Sequence, residues 1–191
     1  MKKSIILLAF TAVQITIFAQ TTWKNDKMHS RLQFTVTHMS ISDVDGVFTD
    51  FDVSINATKP DFSDAVFNLS ANAASVNTGV DMRDNHLKSG DFFDVATYPT
   101  ITFVSTGIRE VSPGKYKLTG KFTMHGVTKT ITMDLWYRGT VVNPQSKAGD
   151  AGFQLTGKLR RSDFNLGSKF GPPMVSDEVE IKADGEFAEA K

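Results

Sequence analysis

The sequence predicts an all-β fold of about eight antiparallel strands with one short helix, arranged as a closed barrel or as a sandwich. In most segments apolar residues alternate with polar ones, the period-two pattern of strands with one buried and one solvated face. Because nearly every such segment keeps a polar face, helices are not expected to cover the outside of the sheet. This pattern favours a closed barrel over a sandwich.

The clearest prediction is a β-hairpin over residues 115–139. Apolar residues or glycine occupy every second position up to Met124, and the alternation resumes after residues 125–127, where Gly126 can take a positive φ. Trp136 falls on the polar face, so part of the outer surface is expected to be aromatic.

The other elements follow in chain order from the same pattern. Residues 43–46 predict a turn, and residues 58–61, 143–152 and 171–173 predict loops, because they are rich in polar residues, glycine or proline. Residues 81–89 have no period of two and predict a short helix that Asp81 caps and Gly90 ends. The remaining strands are predicted at residues 29–41, 47–57, 64–78, 100–111, 153–160 and 178–187.

Small residues recur on the apolar faces of these strands and have two interpretations. They permit tightly bent strands to coil, or they leave a lumen lined by Phe, Leu and Met. The residues are Ala71, Gly107, Gly120, Gly157, Ala183 and Gly185.

Composition limits the classes of function. The 191 residues suit a single domain, and 21 basic residues balance 21 acidic ones, so no basic excess points to nucleic acid. The absence of cysteine excludes disulfides, thiolate metal sites and a cysteine nucleophile. Fifteen phenylalanines supply apolar area that needs no hydrogen-bond partner.

The N-terminal segment predicts a secretory signal peptide over residues 1–19. Lys2 and Lys3 precede an apolar stretch that is too short and too polar for a typical membrane span, and Ala19 suits cleavage. A retained anchor is the alternative. We therefore expect a mature domain over residues 20–191 that is periplasmic or secreted and does not span the membrane.

Several motifs closely resemble the YceI-like family of bacterial periplasmic proteins. Residues 83–94 read RDNHLKSGDFFD and are followed by Tyr98-Pro99. Matching residues also occur at 29–38, 46–48, 118–129 and 161–164, where Arg161-Ser162-Asp163-Phe164 fits the family's R-x-D-F segment. The family often has Gly after that Phe, and Asn165 stands there instead; asparagine also tolerates left-handed geometry.

The resemblance implies an eight-stranded antiparallel lipocalin-like β-barrel with a long pocket. It implies a polyisoprenoid or related amphiphilic lipid, such as an isoprenoid quinone, as ligand and partner, with no other cofactor. The family allows a homodimer, which nothing in the sequence specifies. The candidate ligand-binding residues are Phe34, Val36, His38, Phe92, Phe93, Phe103, Tyr116, Leu118, Phe122, Met133, Phe153, Leu155 and Arg161. For each apolar candidate, ordinary barrel core is the alternative.

Three polar groups have specific interpretations. His38 shares parity with Phe34, so we expect it to point inward and to bond either a neighbouring side chain or a ligand oxygen near the barrel mouth. Arg161 is expected inside, beside Asp163, where it needs either a carboxylate or a ligand anion; an ion pair that fixes the barrel end is the favoured role. Arg83 and Asp84 are expected to tie the helix to the rim, with lipid-head binding as a secondary role.

Catalysis and metal binding are the less favoured functions. The four histidines lie on different segments without a metal-ligand spacing, and no G-x-S-x-G nucleophile context occurs. A lipid or ester hydrolase using Ser30 or His38 is one alternative. A stress-related structural or scaffolding factor of the cell envelope, with a fully packed lumen, is another.

Overall fold

The computed structural model describes residues 19–190, so the predicted signal peptide lies outside the described residues except for Ala19. The elements, in chain order, are β1 (Thr21–Asn25), β2 (Arg31–His38), β3 (Ser42–Phe48), β4 (Phe51–Ala57), β5 (Val66–Asn72), β6 (Val76–Asn77), α1 (Asp81–Lys88), β7 (Thr100–Ser112), β8 (Lys115–Met124), β9 (Val127–Val142), β10 (Gly149–Arg160) and β11 (Glu178–Glu189). Single 3-10 turns cover Ala73–Ser75 and Arg161–Phe164.

These eleven strands form one closed antiparallel barrel with eight strand positions, which we call staves. Three staves consist of two shorter strands each: β1 continues as β2, β3 as β4, and β5 as β6. The five others are β7 to β11, each paired with the next. Strand β11 closes the barrel because it pairs with β1 near one end and with β2 near the other. The predicted eight-stranded antiparallel barrel is therefore confirmed.

The turn predicted at residues 43–46 is wrong. These residues lie inside β3. The chain reverses direction before β3 begins, at Met39 and Ser40, which have φ values of 52° and 59°. Gly46 pairs with Phe34 across the β2–β3 ladder, and a β-carbon on Gly46 would come within 2.2 Å of the Phe34 ring. The glycine there accommodates an aromatic ring rather than a turn.

A register shift in β7 corrects the predicted orientation of Gly107. The pairing with β8 jumps between Ser105 and Gly107, so the alternation changes phase at this β-bulge. Ser105 is buried, whereas Gly107 is exposed and a β-carbon on it would meet no atom within 4 Å.

One end of the barrel is plugged by the loop between β4 and β5. Phe62 lies 2% exposed in that end, with ring centroids 4.9 Å from Tyr137 and 5.0 Å from Phe153. The Tyr116 hydroxyl donates a hydrogen bond of 2.5 Å to the Asp61 carbonyl oxygen and so fastens the loop. Strand β1, which the sequence pattern did not predict, contributes Trp23 to the same cluster.

The opposite end, which we call the mouth, is bordered by α1 and by residues 161–177. Helix α1 starts at Asp81 as predicted, but its N-cap is Val80 and no side chain caps it. No helix within residues 19–190 has the length and apolarity needed to cross a membrane.

Candidate functional site

The mouth leads into a cavity of about 410 Å³, which we call the upper cavity. This volume lies within the usual range for small-molecule sites, and the walls are mostly aliphatic and aromatic. Side chains from β2, β3, β5, α1, β7, β8, β10 and β11 contribute to it.

A second cavity of about 110 Å³, the lower cavity, lies between the upper cavity and the plugged end. Its walls carry Phe67, Phe103, Phe153 and Phe187. Four residues line both cavities and form a waist between them: Leu32, Leu69, Phe122 and Ile181. The two spaces therefore follow one another along the barrel interior.

Twelve of the thirteen candidate residues line these cavities. Those in the upper cavity are Phe34, Val36, His38, Phe92, Phe93, Phe122 and Arg161. Those in the lower cavity are Phe103, Leu118, Phe122, Met133, Phe153 and Leu155. Tyr116 lines neither, because its side chain packs into the plugged end and bonds the Asp61 carbonyl.

Other lining residues were not among the candidates. Leu32, Leu69 and Ile181 have the inward parity of their strands, so the alternation contained the signal that would have found them. Phe170 lies in a loop without periodicity, and no sequence pattern indicated its position.

The small residues on the inner wall leave room for large side chains of neighbouring residues. A β-carbon on Gly120 would lie 2.5 Å from the Phe103 ring, and one on Gly157 would lie 2.8 Å from Met133. A β-carbon on Gly185 would lie 2.8 Å from the Phe187 ring. These glycines let large side chains lie flat on the wall, and the lumen is the space that those side chains leave.

The polar groups around the upper cavity are predominantly hydrogen-bond donors. Two arginines and two histidines line it, and no Asp or Glu does among the residues that the structure describes. The Arg83 guanidinium donates to the Thr78 hydroxyl at 2.8 Å and to the Thr78 carbonyl at 3.0 Å. The Thr78 hydroxyl in turn donates to the buried Asp84 carboxylate at 2.5 Å. This chain fixes Arg83 at the cavity wall and ties α1 to the barrel, as predicted.

Arg161 does not form the predicted ion pair. It is buried, and its guanidinium donates to the backbone carbonyls of five residues in the loop over residues 165–177, which we call the mouth-end loop. Asp163 is exposed, and within residues 19–190 no carboxylate lies in salt-bridge contact with Arg161. Burial lowers the pKa of Arg161, and the charge of Asp177 opposes that shift. The five acceptors are the carbonyl oxygens of Leu166, Gly167, Phe170, Val175 and Ser176.

Residues 86–92 and residues 169–170 meet across the mouth and form what we call the strap. The Phe92 and Phe170 rings stack with centroids 5.1 Å apart, and His86 meets both edge-on. Asp91 accepts hydrogen bonds from Lys169 at 2.5 Å and from His86 at 3.3 Å, and these bonds lower its pKa. The strap therefore joins the segment after α1 to the mouth-end loop.

His38 lies at the mouth but is exposed, with its backbone bridged to Val175. Ser30 lines the lower cavity, so these two residues of the hydrolase alternative belong to different cavities. Within the described part of the chain, no three potential metal-ligating side chains cluster.

An antiparallel barrel with a plugged end, an apolar interior and a polar mouth defines the class of lipocalin-like barrel proteins. The chain matches the YceI-like domain over residues 23–187, and it belongs to the YceI-like family. A UPF0312 protein of Staphylococcus aureus strain USA300 is 34% identical over 172 residues, which cover 88% of this chain and 98% of that protein.

Solved structures have the same fold. BcnA of Burkholderia cenocepacia aligns with a TM-score of 0.76 and 25% identity over 85% of this chain and 98% of that one. The YCEI protein of Campylobacter jejuni aligns with a TM-score of 0.75 and 32% identity over 81% of this chain and 90% of that one. A polyisoprenoid binding domain from Saccharophagus degradans aligns with a TM-score of 0.68 over 88% of this chain and 98% of that one. The two sequences are 16% identical, so this similarity is one of fold alone.

Proposed function

We propose that this protein binds and carries, or sequesters, a polyisoprenoid or related amphiphilic lipid without transforming it. The observation that carries the proposal is the succession of two apolar cavities along the barrel interior. A long hydrocarbon tail offers no hydrogen bonds, so it requires walls of this composition. Burying about 20 carbons would yield roughly 16 kcal/mol gross at about 0.8 kcal/mol each, much of it offset by the cost of ordering the chain.

The polarity of the walls supports one orientation of the ligand. Apart from Ser30, Arg31 and Asp184, the lower cavity is lined by apolar residues, whereas Arg83 and His86 border the upper cavity near its mouth. Arg83 has N–H groups beyond the two bonded to Thr78, because a guanidinium carries five. We therefore place the tail inward and a head with acceptor oxygens at the mouth.

The structural or scaffolding alternative required a lumen filled by side chains. The upper cavity argues against it, because a space of about 410 Å³ lined by apolar residues is costly to leave empty of ligand. The signal-like residues 1–19 support a site of action in the periplasm or outside the cell.

A tryptophan at the waist tests the proposal. Ile181→Trp would obstruct the passage between the two cavities, whereas Lys182→Trp places the same ring on the exposed face of β11. With delipidated protein, we expect Ile181→Trp to raise the Kd of a polyprenol of about 35 carbons by about tenfold or more. Lys182→Trp should leave this Kd unchanged.

A short isoprenoid alcohol of about 10 carbons should still bind Ile181→Trp, because it fits in the upper cavity alone. This retained binding also shows that the variant is folded. Equal affinities of both variants for the long polyprenol, or no binding by the unmodified protein, would contradict the proposed function.

A further inference from the structure

We propose that the mouth of the barrel docks on the surface of a lipid bilayer, with Met39, Ile41 and Met82 inserted among the acyl chains. This inference rests on the proposed function and identifies the membrane as the source of the ligand. Bilayer hydrocarbon is apolar, so a water-insoluble lipid could pass from it into the upper cavity without crossing water.

The first part of this surface is the turn between β2 and β3. Ile41 is 86% exposed, and Met39 is about half exposed beside it. The Met39 amide donates a hydrogen bond of 3.0 Å to the Met174 carbonyl oxygen, and Met174 lines the upper cavity. The exposed apolar tip is therefore continuous with the wall of the cavity.

The second part lies on α1, on another side of the same mouth. Met82 is 81% exposed and precedes His86, which lines the upper cavity, by one helical turn. Val80, the N-cap residue of α1, is also exposed. Exposed apolar side chains thus flank the opening on two separate elements.

The geometry of the β2–β3 turn is an independent observation. Met39 and Ser40 both have positive φ, and the Ile41 amide closes the turn on the His38 carbonyl at 3.1 Å. Three residues separate the paired His38 and Ser42, and consecutive hairpin-turn positions with positive φ favour Asn or Gly, because side chains with a β-carbon are strained there. A methionine held in this conformation with about half of its side chain exposed indicates a role outside the fold of the isolated chain.

A bilayer fits this surface better than a protein partner does. The inserted residues are single apolar side chains on separate tips around a cavity, whereas the anchor residues of protein interfaces cluster at the centre of one continuous patch. Asp43 and Asp81 are exposed beside Ile41 and Met82. We therefore expect insertion into uncharged membranes, with little dependence on anionic lipid or on salt.

The test compares the expected mature protein, residues 20–191, with two matched double variants of it. Ile41→Asn with Met82→Gln removes the apolar tips, and neither residue lines the cavities. Val142→Asn with Met28→Gln is the control, because these residues are 71% and 89% exposed but lie on segments away from the mouth. Partition onto phosphatidylcholine vesicles is measured by co-flotation, and polyprenol binding is measured separately with polyprenol dispersed in cyclodextrin.

We expect the unmodified protein and the control to bind the vesicles equally and the tip variant to partition about tenfold less, equivalent to about 1.4 kcal/mol. All three should bind dispersed polyprenol with the same affinity. Normal polyprenol binding without vesicle binding by the unmodified protein would overturn the docking inference alone. A tip variant that partitions normally, or that only converts a dimer to a monomer in light scattering, would also overturn it. Absence of polyprenol binding by the unmodified protein would instead count against the proposed function.

Discussion

At the scale of single residues, Arg161 organises the loop at the mouth. Its five N–H groups satisfy carbonyl oxygens that converge from residues 166–176, which have little regular secondary structure. A guanidinium presents these donors in a rigid planar fork, and a methionine or lysine cannot reproduce that geometry. The arginine therefore has the role in this loop that a strand ladder has elsewhere.

We expect Arg161→Met to lower the free energy of unfolding by about 3–5 kcal/mol, because the carbonyls lose their donor in a buried place. Arg161→Lys should recover part of this loss. The neighbouring Arg160 is exposed, so Arg160→Met should change the free energy by less than about 0.5 kcal/mol. Urea unfolding of the four proteins measures the difference, and similar losses for both methionine variants would refute the role of Arg161.

The strap predicts a pH dependence through Asp91. Hydrogen bonds from Lys169 and then His86 lower its pKa below the ordinary 3.8. A lowered carboxyl pKa stabilises the folded state above the unfolded value, and this contribution disappears as the pH falls through the lowered pKa. We expect Lys169→Met to raise the pKa of Asp91 toward 3.8 in an NMR titration.

The same substitution should lower the melting temperature at pH 7, and the difference from the unmodified protein should disappear as the pH falls through the lowered pKa of Asp91. Lys129→Met, an exposed change on β9, serves as the control. A melting difference that persists unchanged into acid would show that Lys169 acts by packing and not through the charge of Asp91.

The inward direction of individual candidate residues was predictable where the strand alternation decided it. Phe34, Phe103, Leu118 and Phe153 follow the alternation, and the structure places them on cavity walls. Tyr116 has the same parity, but its hydroxyl reaches the plug. Parity specifies the face of a strand and not the depth along the barrel, so it could not separate these positions.

At the scale of elements, close contact between glycine and a neighbouring strand determines where the wall can be substituted. Gly120→Ala would place a β-carbon 2.5 Å from both the Phe103 ring and the Val104 carbonyl oxygen. The backbone oxygen cannot move aside without disturbing the β7–β8 ladder. We expect a loss of about 1–3 kcal/mol in the free energy of unfolding.

Gly107→Ala is the matched substitution on the paired strand. Its β-carbon would meet no atom within 4 Å and the residue has no positive φ, so the change should be neutral or slightly stabilising. Thermal or urea unfolding distinguishes the two variants. Equal effects of the two alanine substitutions would contradict the conclusion that the missing side chain of Gly120 makes room for the Phe103 ring.

The hairpin, the last strand and helix α1 were predictable because their patterns are long or distinct. The β2–β3 turn was not, because Met-Ser is an unusual pair at positive φ while Asp-Val-Asp-Gly resembles a turn. The bulge in β7 was also hidden, since a register shift depends on the partner strand. These misses arise where tertiary contacts override local preference.

At the scale of the whole molecule, closure and plugging together leave two successive cavities, of which the upper one opens at the mouth. Strand β11 joins both halves of the first stave, and Phe62 fills the end opposite the mouth. Closure was predictable from the polar outer faces, but the volume of the lumen was not. It depends on how the aromatic side chains lie over Gly120, Gly157 and Gly185.

Native mass spectrometry of the protein purified from the organism that makes it tests the central claim most directly. We expect an adduct whose mass, after extraction and fragmentation, corresponds to one isoprenoid-type lipid per barrel. Heating or solvent extraction should remove it and leave a folded protein that takes up polyprenol again. A protein that is consistently isolated empty and takes up no polyprenol would contradict the account.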